Sequence, residues 1–244
     1  MHTRRSVVGL GWLLALTFSG CSTGPYDRDL AAQVERYRAD SEFAALSSEP
    51  TALADGRVTM RLPASFAPIE AEAAFPRPPF IRDFPGFAAA FDVKLRKKDG
   101  NEIRPVLTVG VVATAESRHP EVEQRILDQA KNDVRLDKAQ WQRGRQVQPI
   151  GSGSAVWDTL SLGGEQEFEA AMNGELLPLA SPATCEIWVS ADPKQEFATV
   201  IALRVPAEVA DQLAVPVPQV LELMARSVEI LPAAEPPAAG PEAK

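Results

Sequence analysis

The stretch "VLTVGVVATAESRHPEVEQRILDQAKNDV", residues 106–134, changes its apolar period once, and that change decides the fold. Val106 to Ala113 is a near-continuous apolar run of strand length, suited to a central strand covered on both faces. Beyond it Val122, Ile126, Ala130 and Val134 recur four apart and Leu127 fills the same face, so the chain passes from strand to amphipathic helix. Pro120 suits the first helical position, where its missing N–H costs no hydrogen bond, and Glu121 and Glu123 complement the positive end of the helix dipole.

Upstream, Phe91, Val93 and Leu95 alternate with Asp92, Lys94 and Arg96 as far as Asp99-Gly100, a turn that predicts a hairpin leading into the central run. The preceding "AFPRPPFIRDFPGF", residues 74–87, is too rich in proline for a ladder and is expected to form an irregular loop carrying Phe75, Phe80, Phe84 and Phe87. Before it, Val58, Met60 and Leu62 of "RVTMRLP" alternate with Arg57, Thr59 and Arg61 as in a half-buried strand.

Downstream, "AVWDTLSL", "QEFEAAM", "TCEIWVSA" and "EFATVIALRV" read as strands joined by turns at Gly163-Gly164, Asn173-Gly174 and Asp192-Pro193. Alternation places Cys185, Ile187 and Val189 on one face and Trp188 on the other. A closing helix "PQVLELMARSVEIL" carries Val220, Leu223, Met224 and Val228 on one stripe. Runs of strands with two helices predict an α+β fold, one antiparallel sheet flanked by helices near 120–138 and 217–228, in a single domain spanning residues 56–231.

The order of these elements resembles the PsbP/Mog1 α/β/α sandwich. The resemblance is carried by "LPASF" after the first strand, the hairpin, "LTVGVV" leading into a helix, the meander ending "EFATVIALRVP", and "VLELMARSVEIL" with Ser227 before a short apolar stretch. Phe66 only approximates the aromatic of the family pattern, and the Pro-rich loop has no equivalent there. The resemblance implies a binding or assembly factor rather than a chemistry, and it carries no functional residue over to this chain.

The chain opens "MHTRRSVVGLGWLLALTFSGC", with Arg4 and Arg5 ahead of a short apolar segment and Ser19-Gly20 ahead of Cys21. These are the charged region, apolar region and cleavage site of an export signal over residues 1–20, too short an apolar run to span a bilayer. "FSGC" resembles the lipobox of bacterial lipoproteins, with Phe18 where that pattern has Leu. The resemblance implies lipidation of Cys21, a membrane anchor of two or three acyl chains, palmitate among them, and a cell-envelope location. Ser22 after the cysteine fits routing to the outer rather than the inner membrane, and "TRRSVV" resembles a twin-arginine signal. Residues 21–55 read as a tether with a weak helix in "DLAAQVERYRADSEFAAL", and residues 232–244, rich in Pro and Ala, as a disordered tail.

Twenty-five basic residues against 33 acidic ones leave a formal charge of -8, and removing Arg4 and Arg5 with the leader makes the mature chain more acidic still. That balance argues against nucleic acid as a partner. Of the two cysteines, lipidation would take Cys21, which leaves no internal disulfide, and Cys185 on an apolar strand face reads as a buried thiol.

His119 is the one histidine beyond the leader, which excludes catalytic pairs of histidines and most His-rich metal sites. Ser117, His119 and Asp128 or Asp133 offer the residue types of a triad, but without a nucleophile elbow they read as helix entry. "GSGS" at 151–154 precedes a strand where a phosphate cradle needs a helix, and so reads as a flexible turn. Glu165, Glu167 and Glu169 form a straight acidic row on a sheet face and do not converge on an ion.

"RLDKAQWQRGRQ", with Trp141 among Arg135, Lys138, Arg143 and Arg145, is a basic patch for anionic lipid, peptidoglycan or an acidic partner, or else the cationic end of a helix. The sequence thus predicts a non-enzymatic binding or assembly module, lipid-anchored in the envelope, with a protein partner and with neither cofactor nor metal. The alternatives are an extracytoplasmic hydrolase acting through an unrecognised site, and a structural spacer.

Overall fold

The strands form where the apolar runs lie. In chain order they are β1 (Thr51–Leu53), β2 (Val58–Met60), β3 (Ala67–Pro68), β4 (Phe87–Asp92), β5 (Leu95–Arg96), β6 (Glu102–Ile103), β7 (Val106–Ala113), β8 (Gln142–Gln146), β9 (Val156–Met172), β10 (Glu175–Ser190), β11 (Phe197–Pro206) and β12 (Glu229–Ile230). Two helices, α1 (His119–Asp133) and α2 (Val217–Arg226), and a 3-10 turn at Ala207–Gln212 complete the set. The computed structural model describes residues 30, 33–34, 42–69, 84–115, 117–133, 140–172 and 175–232. The export signal, Cys21, Phe75, Phe80, Arg135, Lys138, the Asn173-Gly174 turn and the tail from residue 233 lie outside them. The chain divides into two units, Met1–Ser41 and Glu42–Lys244. In the first, Leu30, Gln33 and Val34 are helical and exposed.

The second unit is built on an antiparallel sheet ordered β3-β4-β7-β11-β10-β9-β6-β5, with β8 also paired to β9. Alternation along the central strands divides the core in two. On one face Val112, Ala198, Val200, Ala202, Leu160, Leu162, Cys185, Ile187 and Val189 pack with Val122 and Ile126 of α1. The opposite face carries Leu107 against Leu203, Val109 against Ile201, and Trp188.

Trp188 lies 6.2 Å, centroid to centroid, from Trp157, opposite in face to Ile187 as alternation predicts. α2 covers this second face with Val220, Leu221, Leu223 and Met224 all buried. Each large apolar side chain so removed from water contributes about 1.5–3 kcal/mol. The result is an α+β sandwich.

Four expectations are corrected. The single sheet is two: β2, expected as its first strand, pairs with β1 and β12 in a separate three-stranded sheet. Val58 and Met60 are fully buried all the same. The folded unit begins at Glu42 instead of residue 56, because Phe43, Leu46 and Leu53 enter the core and Arg61 and Arg226 stack over the Phe43 ring. Gly163-Gly164 is no turn, since β9 runs through it with Gly163 opposite Thr184 and Gly164 opposite Ala183. Gly164 has φ +141°, a conformation other residues rarely adopt, and the strand accommodates it without losing register.

The expected hairpin also divides. β4 pairs with β7, while its tip, β5 and β6 around Asp99-Gly100, reaches across to β9 with Ile103 opposite Ala170. A small core of Ile103, Phe168, Ala183 and Val209 closes that end. Pro178 and Pro182 are tolerated in β10 because only β9 pairs with that half of the strand. Among the described residues no helix is long and apolar enough to cross a membrane.

The loop before β4 presses on the central strand: a methyl group at Gly110 would overlap the carbonyl oxygen of Pro85, whereas one at Gly163 meets nothing within 4 Å. Gly110→Ala is therefore expected to cost about 1–3 kcal/mol or more of unfolding free energy in urea titrations. Gly163→Ala should change it by less than about 1 kcal/mol.

Candidate functional site

α1 begins where β7 ends, and its first turn is fixed locally: the Arg118 backbone N–H donates to the Glu121 carboxylate, and Val122 N–H donates to the Arg118 carbonyl. This sets His119 at the start of the helix and Glu123 one turn on, so the two side chains share a face. Beneath them β9 presents Asp158 in the same phase as Leu160 and Leu162, toward α1. Facing Asp158 is a β-bulge in β8. Gln142 pairs with Thr159 and Arg145 with Trp157, leaving both Arg143 and Gly144 opposite the one residue Asp158. Gly144 adopts φ +69°, in the left-handed region that favours glycine.

The bulge aims two donors at one carboxylate. Gly144 N–H donates to Asp158 Oδ1 at 2.7 Å and Arg143 Nη1 donates to Asp158 Oδ2 at 2.7 Å. Arg143 Nη1 also donates to Glu123 Oε1. His119 Nε2 lies 3.0 Å from Asp158 Oδ2 and 3.3 Å from Glu123 Oε1. Ionised carboxylates only accept, so Nε2 carries the proton, and Nδ1, itself buried, has no hydrogen-bond partner among the described residues.

Two carboxylates, a guanidinium and an imidazole thus meet at one point, with Glu123 only 4 % and Asp158 only 5 % exposed. The hydrogen bond to Glu123 raises the His119 pKa above its ordinary 6.5, against the opposing effect of partial burial and with help from Asp158. Burial pulls Asp158 upward, but bonds from Arg143, Gly144 and His119 outweigh it and hold the carboxyl below its ordinary 3.8.

His119 also lines a cavity of about 350 Å³ at the β7–α1 junction. Thr114, Ser117, Arg118 and His119 form one side, Asp192 and Pro193 the other. Asp192-Pro193 is a turn as expected, with Lys194 N–H bonded to Asp192 Oδ1.

The residues singled out in the sequence are distributed differently. The carboxylate partner of His119 is Asp158, not Asp128, which accepts from Gln124 on the exposed side of α1. Asp133 ends α1. Asp158 was legible only as a lone acid in the buried phase of an apolar strand. "GSGS" is a clasp: Ser152 Oγ donates to the Ile230 carbonyl and accepts from Ile230 N–H, and Gly153 packs against the Val228 backbone.

Arg143 and Arg145 do not form an open basic patch. Arg143 is held as described, and Arg145 pairs with Glu222 at 2.5 Å and stacks over Trp188. Glu165 and Glu167 are exposed and Glu169 half-buried, in a row that does not converge. Cys185 is buried, and burial pushes its thiol up to about 12.

No family model matches the chain, and no curated protein does. Among solved structures, the Ran-binding protein Mog1p of Saccharomyces cerevisiae is similar at 16% identity and TM-score 0.43, over 76% of this chain and 96% of that one. LpqN of Mycobacterium tuberculosis, described as involved in cell envelope biogenesis, is similar at 14% identity and TM-score 0.36, over 77% and 92%. The PsbP protein of the cyanobacterium Synechocystis gives 11% identity and TM-score 0.34, over 77% and 94%. Superpositions at this level say nothing of function.

The four-group cluster makes stability depend on pH at both ends. Because the folded pKa of His119 is raised, its contribution is complete below the unfolded value near 6.5 and is lost as pH rises through the folded value. Because that of Asp158 is lowered, its contribution is complete above 3.8 and is lost as pH falls through the folded value. His119→Gln should flatten the alkaline decline in urea-derived stability, and Asp158→Asn should cost about 3 kcal/mol at neutral pH. An unchanged alkaline slope in His119→Gln would contradict the assignment.

Proposed function

We propose that the chain is a cell-envelope lipoprotein, anchored through acyl chains on Cys21, whose α+β domain is a non-enzymatic binding module with its ligand site at the cavity beside His119. The anchoring rests on the conjunction of Arg4 and Arg5, the short apolar run, Ser19-Gly20 before Cys21 and Ser22 after it. The pattern favours the outer membrane. Two or three acyl chains hold a protein where one would not.

The observation that carries the binding reading is the state of His119. Its Nε2 is occupied by two carboxylates that Arg143 also bonds, and its Nδ1 has no hydrogen-bond partner among the described residues. Ser117, on the same cavity wall, has no base bonded to its hydroxyl among the described residues, which supports binding over hydrolysis. A hydrolase remains the second reading on one specific observation, the His119–Asp158 contact at the edge of a cavity that holds Ser117.

Two experiments test these readings. Replacing Cys21 with Ser should release the protein from membranes or leave an unprocessed precursor, and mass spectrometry of the native protein should find Cys21 acylated as its first residue. An unmodified terminus elsewhere would refute the anchor. Ala191→Trp, which fills the cavity, should abolish recovery of a partner that the wild-type protein captures from solubilised membranes. Turnover of ester or peptide substrates that disappears in His119→Ala would favour the hydrolase instead.

A further inference from the structure

We propose that His119, Glu123 and Asp158 form a binding site for a divalent transition-metal cation of the zinc class, with Arg143 as a built-in cation that competes for it. The proposal goes beyond the binding-module reading and does not depend on it.

The first argument is convergence. His119 Nε2, Glu123 Oε1 and Asp158 Oδ2 all lie within 4.8 Å of one another. Nε2 is 3.0 Å from the Asp158 oxygen and 3.3 Å from that of Glu123. In a tetrahedral site with zinc–ligand bonds of about 2.0–2.1 Å, neighbouring donors sit about 3.3 Å apart, so small side-chain adjustments suffice to admit the ion. The donors stand on rigid elements, two on one face of α1 and one on β9 inside the sheet, which fixes their geometry. One imidazole with two carboxylates is a donor set for zinc or manganese, whereas calcium takes oxygen alone.

The second argument is charge. Both carboxylates are more than nine-tenths buried, and a buried anionic pair requires positive charge beside it. The structure shows that requirement met from outside. Arg143 has a side chain 56% exposed, and all five residues of β8 are exposed. Its Nη1 uses Glu123 Oε1 and Asp158 Oδ2, the same two oxygens the metal would take, so guanidinium and ion exclude each other. A half-exposed ion pair is weak enough to be displaced, while a dication can neutralise both carboxylates alone. On binding, the ion takes the place of the Nε2 proton, which passes to solvent.

Zinc chloride titrated calorimetrically into the purified, metal-stripped full chain at neutral pH tests this. Saturable uptake is expected at one zinc per chain, weakened about tenfold or more by Glu123→Gln or Asp158→Asn. Arg143→Gln should tighten uptake about fivefold, because the competing cation is gone. Since the carboxamide variants remove buried charge and can unfold, nitrogen NMR of the folded wild-type protein supplies a separate readout, in which zinc should shift the His119 Nε2 resonance. Absence of saturable uptake in both wild type and Arg143→Gln would overturn the proposal. So would an affinity that Arg143→Gln leaves unchanged, or a His119 resonance that zinc does not move.

Discussion

A strand with both faces out of water needs a layer on each side, and β7 and β11 impose that demand on the whole second unit. All ten residues of β11 except Phe197 are buried, as are Val106 to Gly110 of β7. α1 answers on one side and α2 on the other, and the two-core division follows from side-chain alternation along the same strands. Hydrogen bonding has no freedom left in these strands, since each has a neighbour on both edges. What varies is pushed to the periphery: the long β9–β10 ladder, the divided hairpin and the small sheet of β1, β2 and β12.

The His119 cluster lies where this rigid centre meets its edge. Asp158 stands in the buried phase of β9, yet β8 beside it is an exposed strand with a bulge at that point. The bulge gives one carboxylate two donors from consecutive residues, which a regular ladder cannot do. A polar group that would be costly in the core is satisfied at its margin, by donors from two separate elements, β8 and α1. The arrangement ties α1, β8 and β9 together through charge, where the apolar core alone would leave their relative placement looser.

Much of the centre could be read in advance because its signals are local. The change of period between Val106 and Val134, the stripe of α2, and the turns at Asp99-Gly100 and Asp192-Pro193 each depend on residues a few positions apart. The peripheral features are not local. A three-residue strand such as β1 is too short to show a period, and β8, with sequence QRGRQ, has no apolar residue to display one. Gly163-Gly164 carries the composition of a turn, and only pairing with β10 shows the strand continuing through it. His119 lies 39 residues from Asp158, a pairing that no spacing rule anticipates. Of the residues set aside as helix entry, His119 alone belongs to the cluster, and its acid Asp158 lies on another element.

The last strand has a kinetic implication. β12 pairs with β2, Leu231 N–H bonds the Arg57 carbonyl, and Arg226 reaches Glu42 across 184 positions. A chain synthesised from its N-terminus therefore holds Phe43, Val58 and Met60 without their cover until its final helix and strand have emerged. Contacts of such long range make for slow folding, because the entropy of closing the chain is lost before the contacts form. The closure of the N-terminal part of the unit thus depends on the elements made last. Loss of the residues after Val228 would deprive that closure of its final pair and leave the N-terminal segment of the unit without its partner strand.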